Sequence, residues 1–148
     1  MKKIIVIISI LFFSHFASAQ KFALNVGHNY PQKHTGYTGV EYRIDKNSDS
    51  NKQGPLTLGI GAMMYGENGK FKAAPEIHMQ KTWMHFVSSQ ISVSTQNIVP
   101  SVGLSFFNLT RLQFGYSFPL QQSNFKGFYV GFHVLIGGKP FYDEITVY

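Results

Sequence analysis

The stretch PSVGLSFFNLTRLQFGYSFPL, residues 100–120, carries the pattern on which the fold turns. From Ser101 to Phe106, the apolar residues Val102, Leu104 and Phe106 alternate with Ser101, Gly103 and Ser105. After Phe107-Asn108-Leu109-Thr110 the alternation resumes, with Leu112, Phe114, Tyr116 and Phe118 set against Gln113, Gly115 and Ser117. A repeat of two is the period of a β-strand, and two such runs around a short break read as an antiparallel pair. The composition of the two faces then decides the environment. A sheet with one face in water carries Lys, Glu, Asp and Arg on that face. Here the second face is Ser, Gly and Gln, which suits a crowded interior, while the apolar face is wide and bulky. That is the inverted polarity of a transmembrane β-barrel, apolar outside and polar within.

The same polarity recurs along the chain. Phe22 to Tyr30 sets Phe22, Leu24, Val26 and Tyr30 against Asn25, Gly27 and Asn29. Tyr37 to Ile44 sets Val40, Tyr42 and Ile44 against Gly39, Glu41 and Arg43. Leu56 to Met64 alternates Leu56, Leu58, Ile60, Ala62 and Met64 with Thr57, Gly59 and Gly61, and Gly66-Glu67-Asn68-Gly69 reads as a turn. Phe71 to Gln80 follows, with Phe71, Ala73, Ile77 and Met79 against Lys72, Glu76, His78 and Gln80. Pro75 weakens that strand, because proline donates nothing to a ladder. Lys81 to His85 reads as a turn carrying Trp83, and Phe86 to Thr95 as a Ser-rich fifth strand. Phe128 to Ile136, within KGFYVGFHVLIGG (126–138), closes a set of eight. Tyr30, Tyr37, Tyr65, Trp83, Phe86, Phe107, Phe118 and Phe128 fall near strand ends, where interfacial aromatic girdles lie.

The remainder of the chain agrees with an exported barrel. Met1-Lys2-Lys3, the apolar run Ile4 to Phe13 and the small-residue exit Ala17-Ser18-Ala19 form the three parts of a secretory signal peptide. Residues 1–19 are therefore expected to be removed, leaving a barrel domain over 20–137. Residues 138–148 are then a C-terminal tail or the end of the closing strand. Without Lys2 and Lys3, the 13 basic residues fall to 11 against 7 acidic ones, a net charge of +4. These charges lie mostly in turns and tails rather than on one face, which argues against nucleic acid. They suit anionic lipid headgroups or lipopolysaccharide phosphates better. There is no cysteine to staple a thin core. Past the signal, no apolar run is long enough for a spanning helix, so membrane insertion requires a closed barrel.

From Gln20 onward the chain resembles the small eight-stranded outer-membrane barrels, of the kind formed by OmpX and by the membrane domain of OmpA. The segments PSVGLSFFNLTRLQFGYSFPL and KGFYVGFHVLIGG also resemble repeats common in small barrels of the Bacteroidota. The resemblance implies an up-and-down antiparallel barrel with its N-terminus in the periplasm. Two features depart from it. Gly137-Gly138-Lys139-Pro140 separates the terminal Tyr148 from the eighth strand, and every connection except Asp45 to Gly54 is short.

Five ionisable residues fall on the inward face: Glu41, Arg43, Glu76, His78 and His133. Charges inside a barrel must pair or be hydrogen-bonded, so the expectation is a structural polar network, with an ion relay or ligand site as the sharper alternative. An eight-stranded barrel is filled by its own side chains, which argues against a diffusive pore. His28 and His34 flank one turn, and His78 and His85 another, without a recognised metal-ligand spacing. No Gly-x-Ser-x-Gly elbow exists, and VSSQISVSTQ (87–96) has no histidine placed as a base. No catalysis, metal or cofactor is expected. The sequon Asn108-Leu109-Thr110 falls on a tight turn. The reading is thus a small integral outer-membrane protein with a structural, adhesion or partner-binding role. The alternatives are a secreted lipocalin-like barrel for an apolar ligand and a lipid A-modifying enzyme.

Overall fold

The computed structural model describes residues 21–31, 34–44, 53–83, 86–121, 125–138 and 141. The expected signal peptide, most of the Asp45 to Gly54 connection, His85 and the tail from 142 to 148 lie outside the described residues. The strands are β1 (Phe22–Pro31), β2 (Thr35–Arg43), β3 (Gln53–Glu67), β4 (Lys70–Trp83), β5 (Val87–Ser94), β6 (Asn97–Phe106), β7 (Thr110–Pro119) and β8 (Gly127–Gly137). Each pairs with the next, and β8 returns to β1 to close the barrel. That last seam is antiparallel and runs from Ala23↔Gly137 to Pro31↔Tyr129. Closure leaves no free edge around the circumference, which is how an all-β wall avoids pairing with other chains.

Alternation sorts the side chains as the period-two reading expects. Ile60, Val102, Phe132 and Ile136 point outward, each more than half exposed at 61%, 62%, 51% and 60%. Their neighbours Ser101, Gln113, Ser117 and His133 are buried inside. The aromatics divide by the same parity. Tyr30, Trp83, Phe86, Phe107, Phe118 and Phe128 are exposed, but Tyr37 and Tyr65 are buried. Their assignment to an outer girdle is therefore corrected: both share the inward parity of Gly39 and Met63, and nearness to a strand end does not override parity.

Several strand boundaries differ from the sequence expectation. Lys81 to Trp83 is strand rather than turn, paired with Ser89, Ser88 and Val87. The Trp83 Nε1–H donates to Ser89 Oγ at 3.0 Å. β6 starts at Asn97, four residues before the Ser101 expected, and runs through Pro100. With no N–H at Pro100, the β6–β7 ladder skips from Ile98↔Phe118 to Ser101↔Gly115. Pro75 of β4 stands opposite Ala62 of β3 and one residue beyond Glu76↔Ser94, where the β4–β5 ladder ends. It therefore interrupts no β4–β5 pairing.

The β3–β4 hairpin rises above its neighbours, since β2 follows β3 only to Met64. Its turn places Asn68 at φ 51° and Gly69 at φ 71°, the left-handed pair that a two-residue hairpin of this twist demands. Lys72, inward by parity, lies beyond the rim and pairs with Glu67 at 2.5 Å. Inside that rim, Met63, Tyr65, Ala74 and Phe125 form an apolar cluster. At the end holding the termini, the chain turns after β8 and buries Phe141 against Ala23 and Leu135.

Candidate functional site

The lumen between these two apolar clusters holds a hydrogen-bonded network centred on Glu41. Antiparallel register brings β2, β4 and β7 residues to the same depth, so Glu41 meets His78 and Arg111 although they are distant in sequence. Arg111 Nη1 lies 2.7 Å from both Glu41 oxygens. His78 Nε2 lies 2.9 Å from Oε1, and Asn25 Nδ2 donates to the same oxygen at 2.6 Å. A carboxylate only accepts, so His78 carries its proton on Nε2 when it serves Glu41. Its Nδ1 then faces the Tyr37 hydroxyl at 3.3 Å.

Asn25 extends the network toward β8. Its amide hydrogens face Glu41, so its oxygen faces His133 Nδ1 at 2.9 Å, which makes Nδ1 the donor. His133 Nε2 lies 2.8 Å from Asn29 Oδ1, and that oxygen accepts from the Tyr129 hydroxyl at 2.9 Å. Toward the termini, Arg111 Nε donates to Asn108 Oδ1 at 3.2 Å. Asn108 and Arg43 both donate to the Phe141 carbonyl, at 3.2 Å and 3.3 Å. The plug residue is thus tied to the central ion pair through Asn108.

Two glycines make room for this arrangement. A Cβ on Gly59 would run into the His78 imidazole, and one on Gly27 would lie 2.5 Å from His133 Nδ1. Both positions face inward, so a small residue on one strand admits a large one from the next. The turn before β7 also serves the network. Phe107 and Asn108 take φ values of 50° and 59°, and this left-handed pair turns Asn108 into the lumen. Fully buried, Asn108 is closed to glycan attachment, which removes the sequon as a modification site.

Uncharged side chains fill the lumen around these ions, with Thr57 across the ladder from Arg43 and Ser105 across from Arg111. Thr57, Gln80, Thr82, Ser105 and Gln113 line the lumen from β3, β4, β6 and β7, with Gln113 Nε2 donating to Ser88 Oγ at 2.8 Å. Among the described residues, both polar atoms of the Gln80 amide are buried without a hydrogen-bond partner, as are the hydroxyls of Thr57, Thr82 and Ser105.

All five residues expected inside are there, and all are buried. Glu41 and His78 touch, Glu76 lies 3.9 Å from His78, and Arg43 serves the plug. His78 and His133 do not meet, because the Tyr37 ring sits between them, 5.7 Å and 5.4 Å from each. Among the described residues, no group of three or more His, Cys, Asp and Glu is arranged to hold a metal ion. Sequence reasoning missed Arg111, the partner that matters most to Glu41. The signal was present: continuing the Gln113, Gly115, Ser117 face one step backward reaches it. The chain matches no protein-family model, no curated protein and no solved structure.

Proposed function

We propose that this chain is a small integral protein of a bacterial outer membrane, inserted as a closed barrel and serving a structural, adhesive or partner-binding role. One observation carries the reading: the apolar wall faces outward on all eight strands, while the interior is a buried polar network. Phe128 to Ile136 on β8 gives the wall its height. Eight steps at ~3.4 Å each, tilted by about 40°, span roughly 21 Å, close to the apolar band of a membrane barrel. Water on such a wall is costly, because single chains rarely expose apolar patches beyond a few hundred Å2.

The same orientation weighs against a soluble barrel for an apolar ligand, whose cavity would need Phe132 and Ile136 inside. It also favours a closed lumen over a conducting one, with Phe141 buried at one end and the Tyr65–Phe125 contact at the other. The Glu41–His78–Tyr37 chain superficially resembles a catalytic relay, yet all three side chains are buried. With the termini in the periplasm, the β1–β2 and β3–β4 hairpins face the cell exterior. Lys70, Lys72 and Lys126 are exposed at that rim, where lipopolysaccharide phosphates are the natural counter-charge.

Membrane fractionation tests the reading. The protein is expected to resist salt and carbonate, to be released by detergent, and to change gel mobility on boiling. Release by salt alone, with no mobility change, would contradict it. Planar-bilayer recording of the purified protein is expected to show no steady conductance.

A further inference from the structure

The β1–β2 hairpin brings together two imidazoles that lie outside the lumen network. His28, on the outward face of β1, and His34, just before β2, are both exposed, and their rings lie 5.2 Å apart at 29°. His28 Nε2 and His34 Nδ1 stand 3.0 Å from each other. The Tyr30 ring packs against the His34 ring, 4.9 Å between centroids, and limits where that imidazole can turn. Opposite His28 the register places Gly36, which has no side chain to crowd the pair.

From this geometry we propose that His28 and His34 form a two-imidazole binding site for a divalent transition-metal ion at the hairpin rim. Two nitrogens on one metal, each at 2.0–2.1 Å, are about 2.9 Å apart at a right angle and about 3.3 Å apart at a tetrahedral one. The observed separation falls between these. Imidazole nitrogen suits copper, zinc and nickel rather than magnesium or calcium, and Cu(II) is the strongest binder in the divalent series. Both side chains are on the surface, so an ion enters without any rearrangement of the barrel. The remaining coordination positions are open to water or to a donor from another molecule. A simple N–H···N hydrogen bond between the rings is the competing use of the same contact, and it binds no metal.

Titration of the full chain in detergent micelles with Cu(II), and separately with Zn(II), distinguishes the two. The expected result is saturation at one ion per chain, with Cu(II) bound more tightly and its paramagnetic spectrum showing coupling to two imidazole nitrogens. His28→Gln and His34→Gln are each expected to weaken binding by at least about tenfold, since loss of even an outer partner of a metal site costs that much. Both variants should retain the heat-dependent gel mobility, because neither side chain touches the lumen. The proposal is overturned by an absence of saturable binding at micromolar metal. It is equally overturned by one-to-one binding that survives both substitutions, which would put the ion elsewhere.

Discussion

Arg111 and Glu41, 70 residues apart in the chain, form a buried ion pair in which one guanidinium nitrogen lies 2.7 Å from each carboxylate oxygen. Both side chains are essentially inaccessible. A pair of this kind behaves asymmetrically when disturbed. Its formation must offset the desolvation of two charges, but removing one partner strands the other in a low dielectric. Glu41→Leu and Arg111→Met are each expected to destabilise the barrel by about 3–5 kcal/mol. The double variant should lose less than the sum, and denaturation of all four proteins in the same lipid or detergent checks it.

The uncharged residues of the lumen should respond in the opposite way. Gln80 has two buried polar atoms without partners among the described residues, so its amide contributes little that an apolar side chain of similar shape would forfeit. Gln80→Met is expected to change stability by less than about 1 kcal/mol, or to raise it. A loss comparable to that of Glu41→Leu would show that the amide has a partner essential to the fold.

Glycine positions separate lumen packing from strand propensity. Gly59→Ala drives a methyl group into the His78 imidazole and so disturbs the Glu41 contact behind it. A loss of about 1–3 kcal/mol is expected, in the range of overpacked interiors. Gly66, also on β3 but above the rim, has nothing within 4 Å of an added Cβ. Gly66→Ala should be neutral or stabilising by up to about 1 kcal/mol. Urea titrations of the two variants side by side provide the comparison.

The outer wall makes a depth-dependent prediction. Ile60→Lys places an ammonium in the middle of the apolar band and should cost about 2–4 kcal/mol in a bilayer. Phe71→Lys, on the hairpin above the rim, should cost no more than about 1 kcal/mol. Folding yields into vesicles, scored by heat-dependent mobility, report both. A soluble barrel would tolerate the two equally well.

Much of this architecture was legible because period-two alternation needs only local sequence. Strand number, polarity and the inward placement of Glu41, Arg43, Glu76, His78 and His133 all follow from it. What stayed hidden required a second strand. The meeting of Glu41 with His78 and Arg111 depends on register, which no single strand specifies. Tyr37 and Tyr65 were misplaced because position near a strand end was weighed above parity. Lys81 to Trp83 looked like a turn because its side chains are polar or amphipathic, yet Trp83 finds Ser89 across the ladder. Asn97 to Pro100 was missed because proline argues against a strand interior, and here the wall tolerates a skipped rung.

The absence of native cysteine allows the direction of every wall residue to be read directly. Spin labels attached through Val102→Cys and Phe132→Cys, with Gln113→Cys as the inward control, should be compared in reconstituted bilayers. The account predicts high accessibility to dissolved oxygen and low accessibility to a water-soluble nickel chelate at Val102 and Phe132, with both reagents excluded at Gln113. Strong nickel-chelate accessibility at Val102 and Phe132 would contradict it, because the wall would then face water.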